Sequence, residues 1–244
     1  MKRLFDSVAA LLGLIILSPL LLVLCVLVWL QDRHSPFYIP NRMGRGEKPY
    51  RMIKLRSMVV RADATKVDST ANNDPRITVV GRTIRRFKFD EIPQLWNVLI
   101  GDMSLVGPRP NVQRETDLYT AEEKRLLSVR PGITDLSSIV FADEGSILDG
   151  KPDPYLSYNQ LVRPYKSRLG LLYIDKRSLL IDFRLIFLTL LGAINRPAAL
   201  AAVARITAEM GGGPELVRVA ERSQPLQPAP PPGATAVIVT RQVG

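Results

Sequence analysis

The chain has 244 residues, 33 Lys plus Arg against 23 Asp plus Glu, a formal net charge of +10 and 46% hydrophobic residues. This apolar content excludes wholesale disorder, and a single membrane-length apolar run excludes a polytopic membrane protein. One cysteine, Cys25, excludes a disulfide framework; one histidine, His34, argues against His triads and multi-His metal sites; the basic excess calls for an anionic partner, whether nucleic acid, phosphorylated ligand or anionic lipid.

Ser7 to Leu30 is an uncharged run of 24 residues, about 36 Å as a helix and long enough to cross a hydrocarbon core. Trp29-Leu30-Gln31-Asp32-Arg33 follows it where a signal peptide would carry a small-residue cleavage site. Ser18-Pro19 lies at its centre, where proline removes a backbone donor and predicts a kink. Lys2 and Arg3 precede the run, and Arg33, Arg42 and Arg45 follow it, so both flanks prefer the cytoplasmic side. A spanning helix and a re-entrant helix-break-helix are both open on pattern alone. In the second, the Ser18 hydroxyl is suitably placed for a carbonyl freed at the break. His34, just after the run, reads as an interfacial side chain, not a catalytic base.

Residues 36–58 read as a hairpin, with strand-like Phe37-Tyr38-Ile39 and Tyr50-Arg51-Met52-Ile53 about a Gly44-Arg45-Gly46 turn. Residues 63–76 are polar, a loop or frayed helix end. Apolar residues from Val79 to Ile100 recur at helical spacing, and Pro93 suits the first turn of a helix starting near Asp90 and ending at Gly101-Asp102. Leu105 to Pro110 is a turn. A short helix is expected near Thr120 to Leu127, a strand at Ser137 to Phe141, and a basic helix over residues 154–168. The apolar run of residues 178–194, interrupted by Asp182 and Arg184, is too short to span and reads as a buried or interfacial helix. After Gly211-Gly212-Gly213 the composition shifts, and Pro225 to Pro232 reads as disordered.

Chemistry concentrates between Arg82 and Pro110. Arg82, Arg85, Arg86 and Lys88 precede two adjacent carboxylates, Asp90 and Glu91. One reading is structural: Asp90 caps a helix, Glu91 favours its dipole and the arginines form a solvated face. The other is phosphate chemistry beside a metal, with Arg forks on phosphate oxygens and carboxylates kept ionised by nearby cations. Lys54 and Arg56, on one face if the segment is a strand, form a second basic strip.

Four runs carry a resemblance. They are Lys54-Leu55-Arg56-Ser57-Met58; Asp90-Glu91-Ile92-Pro93-Gln94-Leu95-Trp96-Asn97-Val98; Gly101-Asp102-Met103-Ser104-Leu105-Val106-Gly107-Pro108-Arg109-Pro110; and Arg130-Pro131-Gly132-Ile133-Thr134. In this order, over roughly residues 1–195, the chain resembles the bacterial sugar transferases, the monotopic phosphoglycosyl transferases, in their minimal form. The resemblance implies transfer of a sugar-1-phosphate from a nucleotide diphosphosugar, a UDP-sugar above all, to undecaprenyl phosphate, with release of the nucleoside monophosphate. It implies Mg²⁺, with Asp90 as nucleophile forming an aspartyl-phosphosugar and Glu91 as metal ligand. It also implies phosphate binding by Arg85 and Arg109, and less directly by Lys54 and Arg56. Ser18-Pro19 matches the family's helix break, so residues 1–33 become a re-entrant membrane hairpin.

The fold expected is α/β, mostly α with a small β-hairpin, made of that membrane hairpin and a compact cytoplasmic catalytic domain with interfacial helices. The domain covers residues 34–205, and residues 206–244 form a disordered Gly/Pro-rich tail. The place implied is the inner membrane of a bacterium, in glycoconjugate or exopolysaccharide biosynthesis. The bilayer is a partner; a homo-oligomer and downstream glycosyltransferases are compatible; nucleic acid is not expected. The alternative is a membrane-anchored basic module that binds anionic lipid without chemistry. One departure stands out. Many members follow Pro-Gly-Ile-Thr with Gly, whereas this chain has Asp135, which bears on the local turn and on sugar or nucleotide contact.

Overall fold

The uncharged N-terminal run forms one helix, α1 (Lys2–Asp32), about 46 Å long. The structure, a computed structural model, describes residues 1–62 and 74–240. The predicted interruption at Ser18-Pro19 is therefore not a break in the helix. Pro19 cannot donate to the Ile15 carbonyl, but the Ser18 hydroxyl donates to that oxygen at 2.8 Å and the helix continues. A single stripe of α1, including Asp6, Ala10, Leu24 and Val28, is buried against the rest of the chain. Leu12, Ile16, Leu22, Val23 and Leu27 are exposed.

Both ends of α1 are tied to the same body by polar contacts. Near the N-terminus, Lys2 Nζ lies 2.5 Å from Asp182 Oδ2. Arg3 donates to the Leu99 carbonyl at 2.7 Å, and Asp6 accepts from the Ser104 hydroxyl at 2.8 Å. At the other end, Asp32 takes a two-point contact from Arg56.

The predicted hairpin is present as two nested pairs. Strand β1 (Phe37–Tyr38) pairs antiparallel with β4 (Lys54–Leu55), and β2 (Asn41–Met43) with β3 (Pro49–Arg51). The expectation for residues 63–76 falls almost wholly outside the described residues. The helix expected from near Asp90 to Gly101-Asp102 ends as expected but starts later. Helix α2 (Val79–Arg86) is capped by Thr78, a 3-10 turn holds Phe89–Glu91, and α3 (Gln94–Ile100) begins only after Pro93. Asp90 is thus not a helix cap.

Strands β5 (Ser104–Val106) and β6 (Gly132–Thr134) run parallel. Their backbones meet where a Cβ on Gly132 would lie 2.1 Å from the Gly107 nitrogen, so neither position tolerates a side chain. Beyond β5 come α4 (Gln113–Thr116) and a 3-10 turn over Glu123–Ser128. The strand expected at Ser137 to Phe141 is instead helix α5 (Leu136–Val140). Asp135 is its cap: fully buried, it accepts from the Ser138 amide at 2.7 Å and from the hydroxyls of Ser137 and Ser138. Its carboxylate is spent on this turn.

The remainder is helical: α6 (Glu144–Leu148), α7 (Pro154–Leu161), α8 (Arg163–Lys176), α9 (Leu179–Ile194), α10 (Arg196–Glu209) and α11 (Pro214–Glu221). Val106, Leu136, Val140, Leu169, Tyr173, Leu185 and Val203 centre the main core. Helix α9 buries Asp182, Leu185 and Leu188 and exposes Leu180, Phe183, Phe187 and Leu190. Phe183 meets Phe5 of α1 with ring centroids 4.6 Å apart, joining the two apolar faces.

The expected disordered tail is a correction. Helix α10 crosses residue 206, α11 follows, and residues 222–240 run as a strap over α7 and α8. Ala229 donates to the Gln160 carbonyl at 3.1 Å, and the Tyr165 hydroxyl donates to the Gln227 carbonyl at 2.9 Å. Proline-rich chain lacks helical hydrogen bonds but is already extended, so docking costs it little entropy.

One buried ion pair braces this side. Glu123 is wholly buried and accepts from Arg163 at 2.7 and 3.1 Å, the Ser167 hydroxyl at 2.7 Å and the Thr120 amide at 3.1 Å. Glu123→Ala leaves the Arg163 charge buried and unpaired and should destabilise the domain by about 3–5 kcal/mol, read by denaturant unfolding in detergent. Gly132→Ala forces the two strands apart and should cost about 1–3 kcal/mol in the same measurement.

Candidate active site

The site is assembled from three stretches far apart in sequence. Asn97 of α3 is buried. Its Oδ1 accepts from the Ile53 amide at 2.9 Å, and its Nδ2 donates to the Arg51 carbonyl at 2.8 Å. This pins the end of the hairpin to α3 and brings Lys54 beside the 3-10 turn. Lys88, with φ of 55°, reverses the chain after α2 and presents Asp90 and Glu91 on that turn. The close contact of Gly107 with Gly132 lets the loop after β5 fold back, and Arg109 comes from that loop.

Arg109 Nη2 donates to Glu91 Oε1 at 2.5 Å. Lys54 Nζ lies 3.8 Å from both Asp90 Oδ2 and Glu91 Oε1. The two carboxylates therefore differ in electrostatic setting. Burial pushes the Glu91 carboxyl up, but Arg109 and Lys54 outweigh it and hold it at about 2. Burial also pushes Asp90 up, and there it prevails over Lys54, so Asp90 stays above its ordinary value. Burial lowers the ammonium groups of Lys54 and Lys88, against the pull of Glu91. Glu91 thus holds a fixed charge, while Asp90 keeps the more basic, more nucleophilic oxygens.

The residues singled out from sequence do not all meet here. Lys54, Asp90, Glu91 and Arg109 do. Arg85 is half-buried on α2 and helps stabilise the Asp90 carboxylate from a distance. Arg56 does not line the site: strand β4 ends at Leu55, and its guanidinium turns to Asp32 and the Ser35 carbonyl. Ser18 and Pro19 lie on the exposed middle of α1. Asn97 was not singled out, although it stands in the second quoted run, and Lys88 was named only among the four cations that precede the pair. Lys88 looked like one more cation, and the reach of Asn97 across to Ile53 has no local signal.

Among the described residues no group of three or more His, Cys, Asp or Glu side chains could hold a metal by itself. Two adjacent carboxylates still fit Mg²⁺, which commonly takes one or two from the protein and the rest from substrate phosphates and water.

The family described as bacterial sugar transferase matches residues 1–196. The exopolysaccharide production protein ExoY of Rhizobium meliloti is 37% identical over 153 residues, covering 57% of this chain and 68% of the relative. The UDP-glucose:undecaprenyl-phosphate glucose-1-phosphate transferase of Caulobacter vibrioides is 40% identical over 141 residues, 57% of this chain and 53% of the relative. The UDP-N-acetylgalactosamine-undecaprenyl-phosphate N-acetylgalactosaminephosphotransferase of Aeromonas hydrophila is 37% identical over 142 residues, 57% of this chain and 34% of the relative. With the matched family covering α1, the carboxylate pair and Arg109 in one stretch, the chain belongs to the bacterial sugar transferases.

Proposed function

We propose that the protein transfers a sugar-1-phosphate from a UDP-sugar to undecaprenyl phosphate, through a covalent intermediate on Asp90. The observation that carries this reading is the unequal setting of the two carboxylates: Glu91 accepts from Arg109 at 2.5 Å, whereas Asp90 has Lys54 at 3.8 Å. The names of the relatives supply the substrate classes.

An Asp90 oxygen attacks the sugar-linked phosphorus. The bond from that phosphorus to the bridging oxygen breaks, and nucleoside monophosphate leaves with the electron pair. The phosphate of the lipid then attacks the same phosphorus, and Asp90 is released as carboxylate. Two displacements at one position let a water-soluble donor and a lipid acceptor use the site in turn. Arg109 and Lys54 lower the repulsion between the Asp90 carboxylate and the diphosphate. Glu91 and phosphate oxygens would hold Mg²⁺, which when bound neutralises further phosphate charge.

The geometry of α1 supports a cytoplasmic site on the inner membrane. Both ends of α1 are bonded to the catalytic domain, so crossing the bilayer would take half of those contacts with it. Its exposed apolar residues, with Phe183, Phe187 and Leu190 of α9 and Trp96 and Ile100 of α3, offer one lipid-facing side. In this reading α1 enters the cytoplasmic leaflet and does not cross.

Asp90→Asn should lower nucleoside monophosphate release by at least about a thousandfold, because the amide cannot act as nucleophile. The assay is a screen of UDP-sugars with undecaprenyl phosphate and Mg²⁺, and near-normal turnover in this variant would rule out Asp90 as the nucleophile. Topology is tested separately. With Cys25 replaced by Ser, single cysteines at positions 1 and 33 should both label only from the cytoplasmic side, and a periplasmic N-terminus refutes the non-crossing helix.

A further inference from the structure

The strap of residues 222–240 lies beyond the family match, yet its contacts lead to the loop that carries Arg109. The Pro232 carbonyl accepts from the Thr120 hydroxyl. The next residue, Gly233, has φ of 79°, and a Cβ there would lie 3.1 Å from Glu122 Cβ and 3.2 Å from Thr120 Oγ1. Glycine suits this approach in both conformation and space. The chain turns here, with Ala234 donating to the Pro231 carbonyl at 3.0 Å, and returns to Gln160, whose side-chain amide donates to the Ile238 carbonyl at 2.7 Å. Since the Gln160 carbonyl also takes the Ala229 amide, one residue holds the strap on both sides of the turn and seats it on Thr120.

Thr120 is a junction. Its amide donates to the Glu123 carboxylate and its hydroxyl accepts from the Glu123 amide, both at 3.1 Å, a reciprocal cap at the start of the 3-10 turn. The residue before it, Tyr119, reaches the loop of Arg109. The Tyr119 hydroxyl accepts from Asn111 Nδ2 at 2.6 Å, and the Asn111 carbonyl accepts from the Met43 amide at 2.9 Å. Only Pro110 separates Asn111 from Arg109, and Arg109, Asn111 and Tyr119 line one cleft.

From this line of contacts we propose that the strap is a positioning element: Pro232 and Gly233 seat the Thr120 turn, and the turn acts through Tyr119 and Asn111 to set where Arg109 stands in the site. The effect on turnover rests on the reading of the chain as a sugar-phosphate transferase; the mechanical link does not.

Gly233→Val places a branched side chain between the strap and Thr120. Gly211→Val is its control, with similar backbone strain at φ of 85° and no described atom within 4 Å of the added Cβ. In full-length protein in nanodiscs, amide exchange over residues 109–120 should be faster in Gly233→Val than in wild type and unchanged in Gly211→Val. With undecaprenyl phosphate, Mg²⁺ and either UDP-glucose or UDP-N-acetylgalactosamine as donor, kcat/KM for nucleoside monophosphate release should fall about three- to tenfold in Gly233→Val and keep its wild-type value in Gly211→Val. Tyr119→Phe removes the hydroxyl that meets Asn111 and should cost a similar factor. The double variant Gly233→Val with Tyr119→Phe should be little worse than either alone, because both break one line of contacts. Wild-type exchange over residues 109–120 in Gly233→Val overturns the link, and losses that multiply in the double variant overturn the route through Tyr119. Faster exchange with unchanged kcat/KM overturns the positioning of Arg109. If the wild type releases no nucleoside monophosphate from any UDP-sugar while Gly233→Val still speeds exchange over residues 109–120, the link stands and the transferase reading fails.

Discussion

The contact between Glu91 and Arg109 joins parts of the chain that share nothing else. Eighteen residues separate the two, and neither helix nor strand carries both. Arg109 arrives only because β5 and β6 approach closely enough at Gly107 and Gly132 to fold the intervening loop back. Glu91 arrives because Lys88 turns the chain before α3 begins. Lys54 completes the group through Asn97, which substitutes side-chain hydrogen bonds for a third strand. A half-buried carboxylate pair is destabilised without such cations, and the cations lose their partners without the pair. The site is thus a mutual neutralisation, and the backbone features around it serve to bring the charges together.

This arrangement sits against an apolar flank for a physical reason. In the proposed reaction the lipid acceptor carries its phosphate at the membrane surface, and a nucleophile serving it must work within reach of that plane. Helix α1 contributes the flank without taking the site away from water. One stripe packs on α3, β4 and α2, and the opposite surface exposes apolar residues such as Leu12, Ile16, Val23 and Leu27.

Much of this was legible in the amino-acid sequence, and the failures have identifiable causes. The hairpin announced itself through strand-like runs about Gly44-Arg45-Gly46, and α9 through its apolar period. Asp90, Glu91, Arg109 and Lys54 stood in runs dense enough to read as chemistry. Arg56 was misplaced because strand alternation was extended one residue past Leu55, where the strand had ended. Ser137 to Phe141 looked like a strand because its apolar residues are β-branched or aromatic. The Asp135 cap and burial among α8, α9 and α10 made it a helix. The tail was misjudged on composition: proline and glycine describe what a segment cannot do locally, and say nothing of Gln160, Tyr165 and Thr120 waiting to bind it. Long-range partners such as Asn97 with Ile53 leave no local pattern at all.

The ties at the start of α1 also set an order of events. Lys2, Arg3 and Asp6 are made before their partners Asp182, Leu99 and Ser104, which stand 180, 96 and 98 residues later. At ordinary translation speeds about 10–40 s pass before the last of these partners is made. Until its own partner is made, each of these three charged side chains is left to water at the end of an apolar helix. They remain solvated where synthesis occurs, and moving them through hydrocarbon would be costly. These ties of α1 therefore close late, and under the proposed topology the delay keeps the helix on the side where it was made.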